Sequence, residues 1–473
     1  MDENVISENE HVVPRRAVLK HGAAVAAGSA VGLFGNQPTY SQQQEVASIV
    51  TGTQAGRRFR AWVQDGHISS GSIEELTLLG LQSRQVLVRP EASAPCYTLV
   101  QGGYGGTPMV DTPDNVDGNS LPEISNHTAV GIVEAVGPDV RRVQVGDRVV
   151  IGVVAQCGQC YMCLRGRADH CQFSMGVVDE FPPIATRDDG TEIRASIGVG
   201  GLSELTVAFE EYLCPVFTDL PPEQLSLLGD TAASGFGTVM GVMPIEPGSD
   251  VVVLGAGPVG MSAVQAARIV GAAQIIVSEP IAHRRELALR LGATTVIDPN
   301  AIGDDLVEYV RELCKGSTDR WFAGGRSWAA TNTGSFGVGE DNRGPDFTIE
   351  AIGRTGDRPL VELPPDPTGV MPMQQAWEFT RRGGEICYLG FGQTGEVSYP
   401  ASAFANFGRS VHAGQQGGLN MMRDIPRLVT LAESGEFDLG SMVTSTWRLE
   451  QTRQALQVVS DRTEMASVVV FED

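Results

Sequence analysis

Lysine is almost missing from this chain: of 34 basic residues only Lys20 and Lys315 are lysines, a bias that genome composition or a salty habitat would each produce. Positive charge is short altogether, because 57 acidic residues bring the formal net charge to −23. That balance argues against nucleic acid or an anionic membrane surface as a partner, and it favours solubility. Aromatic residues are scarce at 6%, while hydrophobic residues reach 42% and glycine is abundant at 57 of 473 residues. Such a composition describes a soluble α/β protein rather than a membrane or disordered one. A mild apolar run from Gly22 to Phe34 has only thirteen residues, too few for a helix to make a stable membrane span. No internal repeat is visible, and the length suffices for two ordinary domains with additions.

What is present in concentrated form is cysteine. Cys157, Cys160, Cys163 and Cys171 fall within fifteen residues as C-x2-C-x2-C-x7-C. Four thiolates so spaced can fold round one tetrahedral zinc with no open position, which makes a structural site. The intervening Gly158-Gln159 and Tyr161-Met162 are poor core material, so something other than packing must order them. Two disulfides are the alternative in an exported protein.

Export is a live reading. Pro14-Arg15-Arg16-Ala17-Val18-Leu19-Lys20 precedes the weakly apolar run, and the arrangement resembles a twin-arginine signal, an address rather than an anchor. No clean small-x-small cleavage site stands out between Gly35 and Gln44. The expected location is therefore periplasmic or extracellular, with the cytoplasm as the alternative.

From Phe59 onward, short strand-like runs at Phe59–Val63, Gln85–Val88, Gly131–Val136 and Arg148–Val153 are punctuated by Gly, Pro and Asp. They predict a compact, mostly antiparallel β domain. After Pro221-Pro222 the character changes. Helices are predicted over 223–228 and 231–243, followed by an apolar strand at Asp250–Leu254, a helix at 259–270, a strand at Gln274–Val277, a helix at 282–291 and a strand at Thr295–Ile297. Strands apolar on both faces, alternating with helices, signal a parallel doubly wound sheet. Asp346–Ala351 and Glu385–Leu389 read as later strands, 425–434 and 449–459 as closing helices, and Ser467–Phe471 as a last strand.

Gly255-Ala256-Gly257-Pro258-Val259-Gly260 lies between the strand at 250–254 and its helix. The first Gly permits the turn, the second lets a pyrophosphate approach the backbone, and the third allows close helix–strand packing. The helix N-terminus offers free N–H groups to the phosphates. Glu279 ends the next strand, 19 residues after Gly260, where a carboxylate accepts ribose hydroxyls and repels a 2′-phosphate. NAD is thus preferred over NADP, a preference that Arg284 and Arg285 soften.

Thiol lobe and dinucleotide turn in one chain resemble the zinc-containing medium-chain alcohol dehydrogenases, from about Phe59 to Phe471. The resemblance implies an α/β fold: a GroES-like β-rich catalytic domain plus a doubly wound Rossmann cofactor domain. It divides the chain into an export signal and tether (1–45), a first catalytic part (56–231, with the lobe at 157–171), a NAD-binding Rossmann domain (232–415) and a C-terminal catalytic part (416–473). It also implies a catalytic zinc held by Cys96 in Ala94-Pro95-Cys96-Tyr97-Thr98, by His127 in Asn126-His127-Thr128, and by Asp230 before Thr231-Ala232-Ala233. Three such donors leave a fourth position for a substrate oxygen. Thr98 matches the hydroxyl residue that receives the alcohol proton in this family.

There are departures. Leu99 stands where the family usually has an Asp bonded to the zinc-bound His, and Thr128 replaces a Glu, so both supporting carboxylates are absent and zinc affinity should change. Gln101 replaces an outer relay His, and Ala466 an Arg that binds pyrophosphate in some members. Segments 316–344 and 354–372 look added; the first enters a strand on the side away from the ligand cleft, and the second leaves it on the cleft side.

The expected function is zinc-dependent hydride transfer between an alcohol or carbonyl compound and NAD(H), with two zinc ions per chain and a small-molecule alcohol or aldehyde as partner. Export also suggests a permanently held NAD. Alternatives are an aldehyde dismutase or formaldehyde dehydrogenase-like enzyme, favoured by the Cys/His/Asp set, and a catalytically inert cofactor- or metal-binding protein. A homo-oligomer, dimer or tetramer, is usual for the family.

Overall fold

Asp250–Leu254 (DVVVL) is buried at every position, and it forms the centre of a six-stranded sheet. The order is Thr295–Ile297, Gln274–Ser278, Asp250–Leu254, Phe347–Glu350, Glu385–Tyr388 and Ser410–Ala413. Every pairing is parallel, with Val252 opposite Ile276 on one side and Thr348 on the other. Such strands cannot alternate in polarity because helices cover both faces. Pro258–Ile269 packs one of those helices against the other side of the core, burying Met261, Val264 and Ala267. The chain order reverses between the strands at 250–254 and 347–350, the place where ligands bind beyond the strand ends.

The fold is described by a computed structural model for residues 54–65, 71–101, 122–173, 181–314, 343–353, 366, 368–393 and 395–472. All belong to one compact unit of the chain. The Arg15-Arg16 segment and tether, the 316–342 stretch and most of 354–372 lie outside the described residues. Among those described, no helix is long and apolar enough to cross a membrane.

The β-rich part has two sheets. One is a closed barrel of Arg58–Gln64, Ser72–Leu78, Ala185–Thr186, Glu192–Ala195 and Glu123–Ile124. The other has seven strands and is built round Gln85–Ser93, which pairs antiparallel with Ala129–Val136, Thr206–Phe209 and Ala466–Val470. The C-terminal strand thus returns to the first domain's sheet. Two pairings are parallel, Glu123–Ile124 with Glu192–Ala195 and Val443–Arg448 with Ala466–Val470.

Several elements differ from the sequence reading. The helix expected over 231–243 is α-helical only for Thr231–Gly237 and then widens into a π-helical turn at Thr238–Val242. There the Thr238 hydroxyl donates to the Ser234 carbonyl at 3.0 Å, and Gly237 packs so closely on the Gly417 carbonyl that an added Cβ would lie 2.4 Å from it. The expected helix at 223–228 is one α-turn, Pro222–Leu225, continued as a 3-10 turn. The edge strand Ser410–Ala413 went unread because it is mostly exposed and shows no buried apolar face.

Candidate functional site

Cys96, His127 and Asp230 come from three segments that the seven-stranded sheet brings together. Cys96 follows Gln85–Ser93 and precedes the short helix Tyr97–Gln101; His127 precedes Ala129–Val136. Ala92 lies opposite Val130 in that sheet, which sets the two loops side by side. Asn126, ahead of His127, has φ 72, a left-handed conformation that Asn tolerates better than most residues. Its amide donates to the Ser93 hydroxyl at 2.6 Å, tying the two strand ends. Asp230 opens the helix Thr231–Gly237 with φ −151 and ψ −83, and its side chain does not cap that helix. The carboxylate is turned to other work.

One ligand atom from each of Cys96, His127 and Asp230 lies within 4.8 Å of the others. Burial, and then the negative charge of Asp230, push the Cys96 thiol up to about 12. Burial holds the His127 imidazole below its usual value despite the pull of Asp230. A half-buried thiol and carboxylate held this close repel once both are ionised, and a divalent cation removes that conflict. Sulfur, nitrogen and oxygen in one cluster suit zinc. His127 Nδ1 is buried with no hydrogen-bond partner, and Nε2 lies 3.3 Å from the Thr98 hydroxyl. Leu99 packs against an apolar cluster that includes Trp62, and the Thr128 hydroxyl donates to the Ala94 carbonyl. Neither residue gives His127 the carboxylate support that most metal-bound imidazoles receive.

The four lobe cysteines also converge within 4.8 Å, and all eight cysteines are free thiols. A tetrahedral site with bonds of about 2.3 Å needs sulfurs about 3.8 Å apart; Cys160 and Cys171 are separated by 4.0 Å. Backbone N–H groups point at the sulfurs: Cys157 donates to Cys171, Cys160 to Cys157, and both Cys163 and Gln172 to Cys160, at 3.3–3.5 Å. Burial opposes ionisation of Cys160, yet these donors draw it down to about 6. Burial raises Cys163 to about 12 and raises Cys171 as well.

The dinucleotide turn meets the triad across one cavity of about 700 Å³, lined by Cys96, His127 and Asp230 at one end and by Gly257, Glu279 and Arg284 at the other. Pro258, Val259 and Gly255 line it too. Gly255 has φ 88, open to glycine at no steric cost. A Cβ on Gly260 would lie 1.9 Å from the Gly255 carbonyl oxygen, whereas one on Gly257 would meet nothing nearer than Arg284 at 4.0 Å. The backbone at Gly257 therefore faces open space. Glu279 accepts from the N–H groups of Ala256 at 2.7 Å and Ile281 at 2.9 Å, which leaves lone pairs for ribose hydroxyls. Arg285 is engaged with the carbonyls of Glu279 and Pro280 and with Asp298; of the two arginines only Arg284 lines the cavity.

Three further residues were not legible. His170 from the thiol lobe and Arg462 from the C-terminal part line the same cavity, hundreds of residues from the motif that gives them meaning in the case of Arg462. Glu350 is wholly buried and accepts from the N–H groups of Ile352 and Gly353 at 2.7 and 2.9 Å, fixing the turn beside the cofactor cleft; burial raises its carboxyl. The Gln101 side chain lies outside the described residues.

Comparison with known proteins agrees with this geometry. The family model for the alcohol dehydrogenase GroES-like domain matches residues 82–218, and that for zinc-binding dehydrogenases matches 258–356. A probable alcohol dehydrogenase from a Pseudomonas species is 35% identical over 254 residues, spanning 52% of this chain and 74% of its own. The NDMA-dependent alcohol dehydrogenase of Amycolatopsis methanolica is 26% identical over 84% of this chain and 95% of its own. Among solved structures, an alcohol dehydrogenase zinc-binding domain protein from Burkholderia ambifaria superposes with a TM-score of 0.71 at 26% identity, covering 88% of this chain and 100% of that one. Benzyl alcohol dehydrogenase from Acinetobacter calcoaceticus gives 0.69 at 23% identity, with the same coverage. A GroES-like β domain, a Rossmann sheet, two zinc-type donor sets and these relatives lead to one assignment: the chain belongs to the zinc-containing medium-chain alcohol dehydrogenases.

Proposed function

We propose that this enzyme oxidises a small alcohol to the corresponding carbonyl compound with NAD as hydride acceptor, or runs the reverse reduction. The carrying observation is a cavity with the Cys96/His127/Asp230 set at one end and the Gly257 turn at the other. When bound there, zinc supplies Lewis-acid polarisation of a substrate oxygen and the nicotinamide supplies the two-electron acceptor. The chain's own part is orientation and proton handling. Cys96, His127 and Asp230 would hold the metal, and Thr98, 3.3 Å from His127, is placed to take the proton of the substrate hydroxyl. Leu227, Val153 and Ile197 line the cavity and keep water from the reacting carbon. Glu279 selects NAD over NADP by charge repulsion of a 2′-phosphate.

A second zinc in the Cys157/Cys160/Cys163/Cys171 lobe is structural in this reading, because four thiols leave no open position. The paired Arg15-Arg16 ahead of an apolar run supports export of the folded chain, with NAD loaded beforehand and held. The Cys/His/Asp donor set also supports an aldehyde dismutase as a second reading. One preparation tests these. Its acid-denatured supernatant is expected to contain nicotinamide, and alcohols added to the protein should raise the absorbance of reduced nicotinamide. Aldehyde alone giving equal alcohol and acid would favour the dismutase. No turnover of any alcohol or aldehyde by zinc-replete protein would overturn the assignment of activity.

A further inference from the structure

Val153, Ile197 and Leu227 give the cavity an apolar wall, yet His170, Gln415 and Gln416 line it as well. These three polar residues come from two turns that pack against each other, Ala168–His170 of the thiol lobe and Gln415–Gly418 after the last strand of the parallel sheet. The second turn is anchored beside the metal-type donors. A Cβ on Gly417 would lie 1.9 Å from the Ser234 carbonyl oxygen, and the Ser234 hydroxyl donates to the Asp230 carboxylate at 3.4 Å. One turn of the helix Thr231–Gly237 therefore separates Asp230 from the residues that carry the two glutamines.

The polar groups are held but not used up. Arg167 grips the buried Asp169 carboxylate through two bonds of 3.2 and 3.0 Å, and Asp169 in turn lies 3.3 Å from His170 Nε2. With Nε2 turned to Asp169, Nδ1 is the nitrogen left for a ligand. Gln416 is half-buried, and neither glutamine side chain has a hydrogen-bond partner among the described residues. An imidazole and a primary amide offer both donors and acceptors, as a hydroxyl does. A carboxylate only accepts, and neither turn places an arginine or lysine in the cavity lining to meet its charge.

We propose that the substrate is a neutral diol or polyol, with one hydroxyl oxidised at the Cys96/His127/Asp230 end and a second held by His170 and Gln416. This rests on the alcohol dehydrogenase reading above and names the substrate class for it. The oxidised carbon loses a hydride to NAD and its oxygen loses a proton, so the product is a hydroxy-carbonyl compound; the second hydroxyl is unchanged. Discrimination follows because a wall built to bond a hydroxyl is left unpaired by an alkyl chain.

The test measures kcat/KM with full-length, zinc-loaded protein and added NAD for three matched series: 1-alkanols, α,ω-diols and ω-hydroxycarboxylates of four to six carbons. Wild type should favour the diol over the alkanol of equal length by about tenfold per hydroxyl, the worth of one net hydrogen bond, and should use the hydroxycarboxylate least. His170→Leu and Gln416→Met each remove the polar group while keeping much of the side-chain volume. Each should bring the diol-to-alkanol ratio to within threefold of unity, a change of selectivity that a merely structural loss would not produce. Gln416→Met carries the test if His170→Leu disturbs the neighbouring Cys171 and does not fold. Alkanols or hydroxycarboxylates preferred by wild type, or a wild-type ratio retained in Gln416→Met and in folded His170→Leu, overturns the proposal and leaves the alcohol dehydrogenase reading standing. No turnover in any series overturns both.

Discussion

Thr98 stands next to a residue that packs on an arginine and two residues from a metal donor, with its hydroxyl 3.3 Å from His127. In the proposed proton relay that hydroxyl has a part that Ser would share and Ala would not. Thr98→Ala should lower kcat for alcohol oxidation by about a hundredfold or more, the usual worth of a proton-transfer group, with zinc content unchanged. Thr98→Ser should recover most of the rate, and steady-state kinetics beside metal analysis decide it. Rates within threefold of wild type in the Ala variant would remove Thr98 from the relay. At this scale the flanking motifs made Cys96, His127, Asp230 and Thr98 readable, since each stands in a recognisable local setting. Arg462 was not, because its partner Tyr97 is 365 positions away.

The glycine turn behaves as an element, and its three glycines answer to different constraints. Gly260 has no room, with the Gly255 carbonyl 1.9 Å from a would-be Cβ; Gly257 has open space. Gly260→Ala should therefore destabilise the ligand-free protein by about 3 kcal/mol in urea unfolding, as overpacking does. Gly257→Ala should cost under about 1 kcal/mol, since its φ of −70 suits Ala, yet weaken NAD binding about tenfold through lost approach to the backbone. Equal effects of the two on stability would mean the turn is misdescribed. Strands buried on both faces, such as Asp250–Leu254, could be read from their unbroken apolar runs. Ser72–Leu78 (SIEELTL) escaped because its polar and acidic residues break that run, and Ser410–Ala413 because an exposed edge strand carries little apolar signal.

Across the whole molecule, two sheets of the β-rich part and one parallel sheet enclose a cleft with metal donors at one end and a dinucleotide turn at the other. The division into β-rich and doubly wound parts was legible because strand–helix alternation begins only after Pro221-Pro222. The return of Ala466–Val470 to the sheet of Gln85–Ser93 was not, since register between strands hundreds of residues apart leaves no local trace. The proposed function needs two separate zinc sites, one closed by four thiols and one open to substrate. Counting zinc per chain by mass spectrometry in wild type, Cys96→Ser and Cys160→Ser is therefore decisive. Two ions in wild type and one in folded Cys96→Ser, with alcohol oxidation lost, are expected. A single ion in wild type, or two retained in Cys96→Ser, would contradict it.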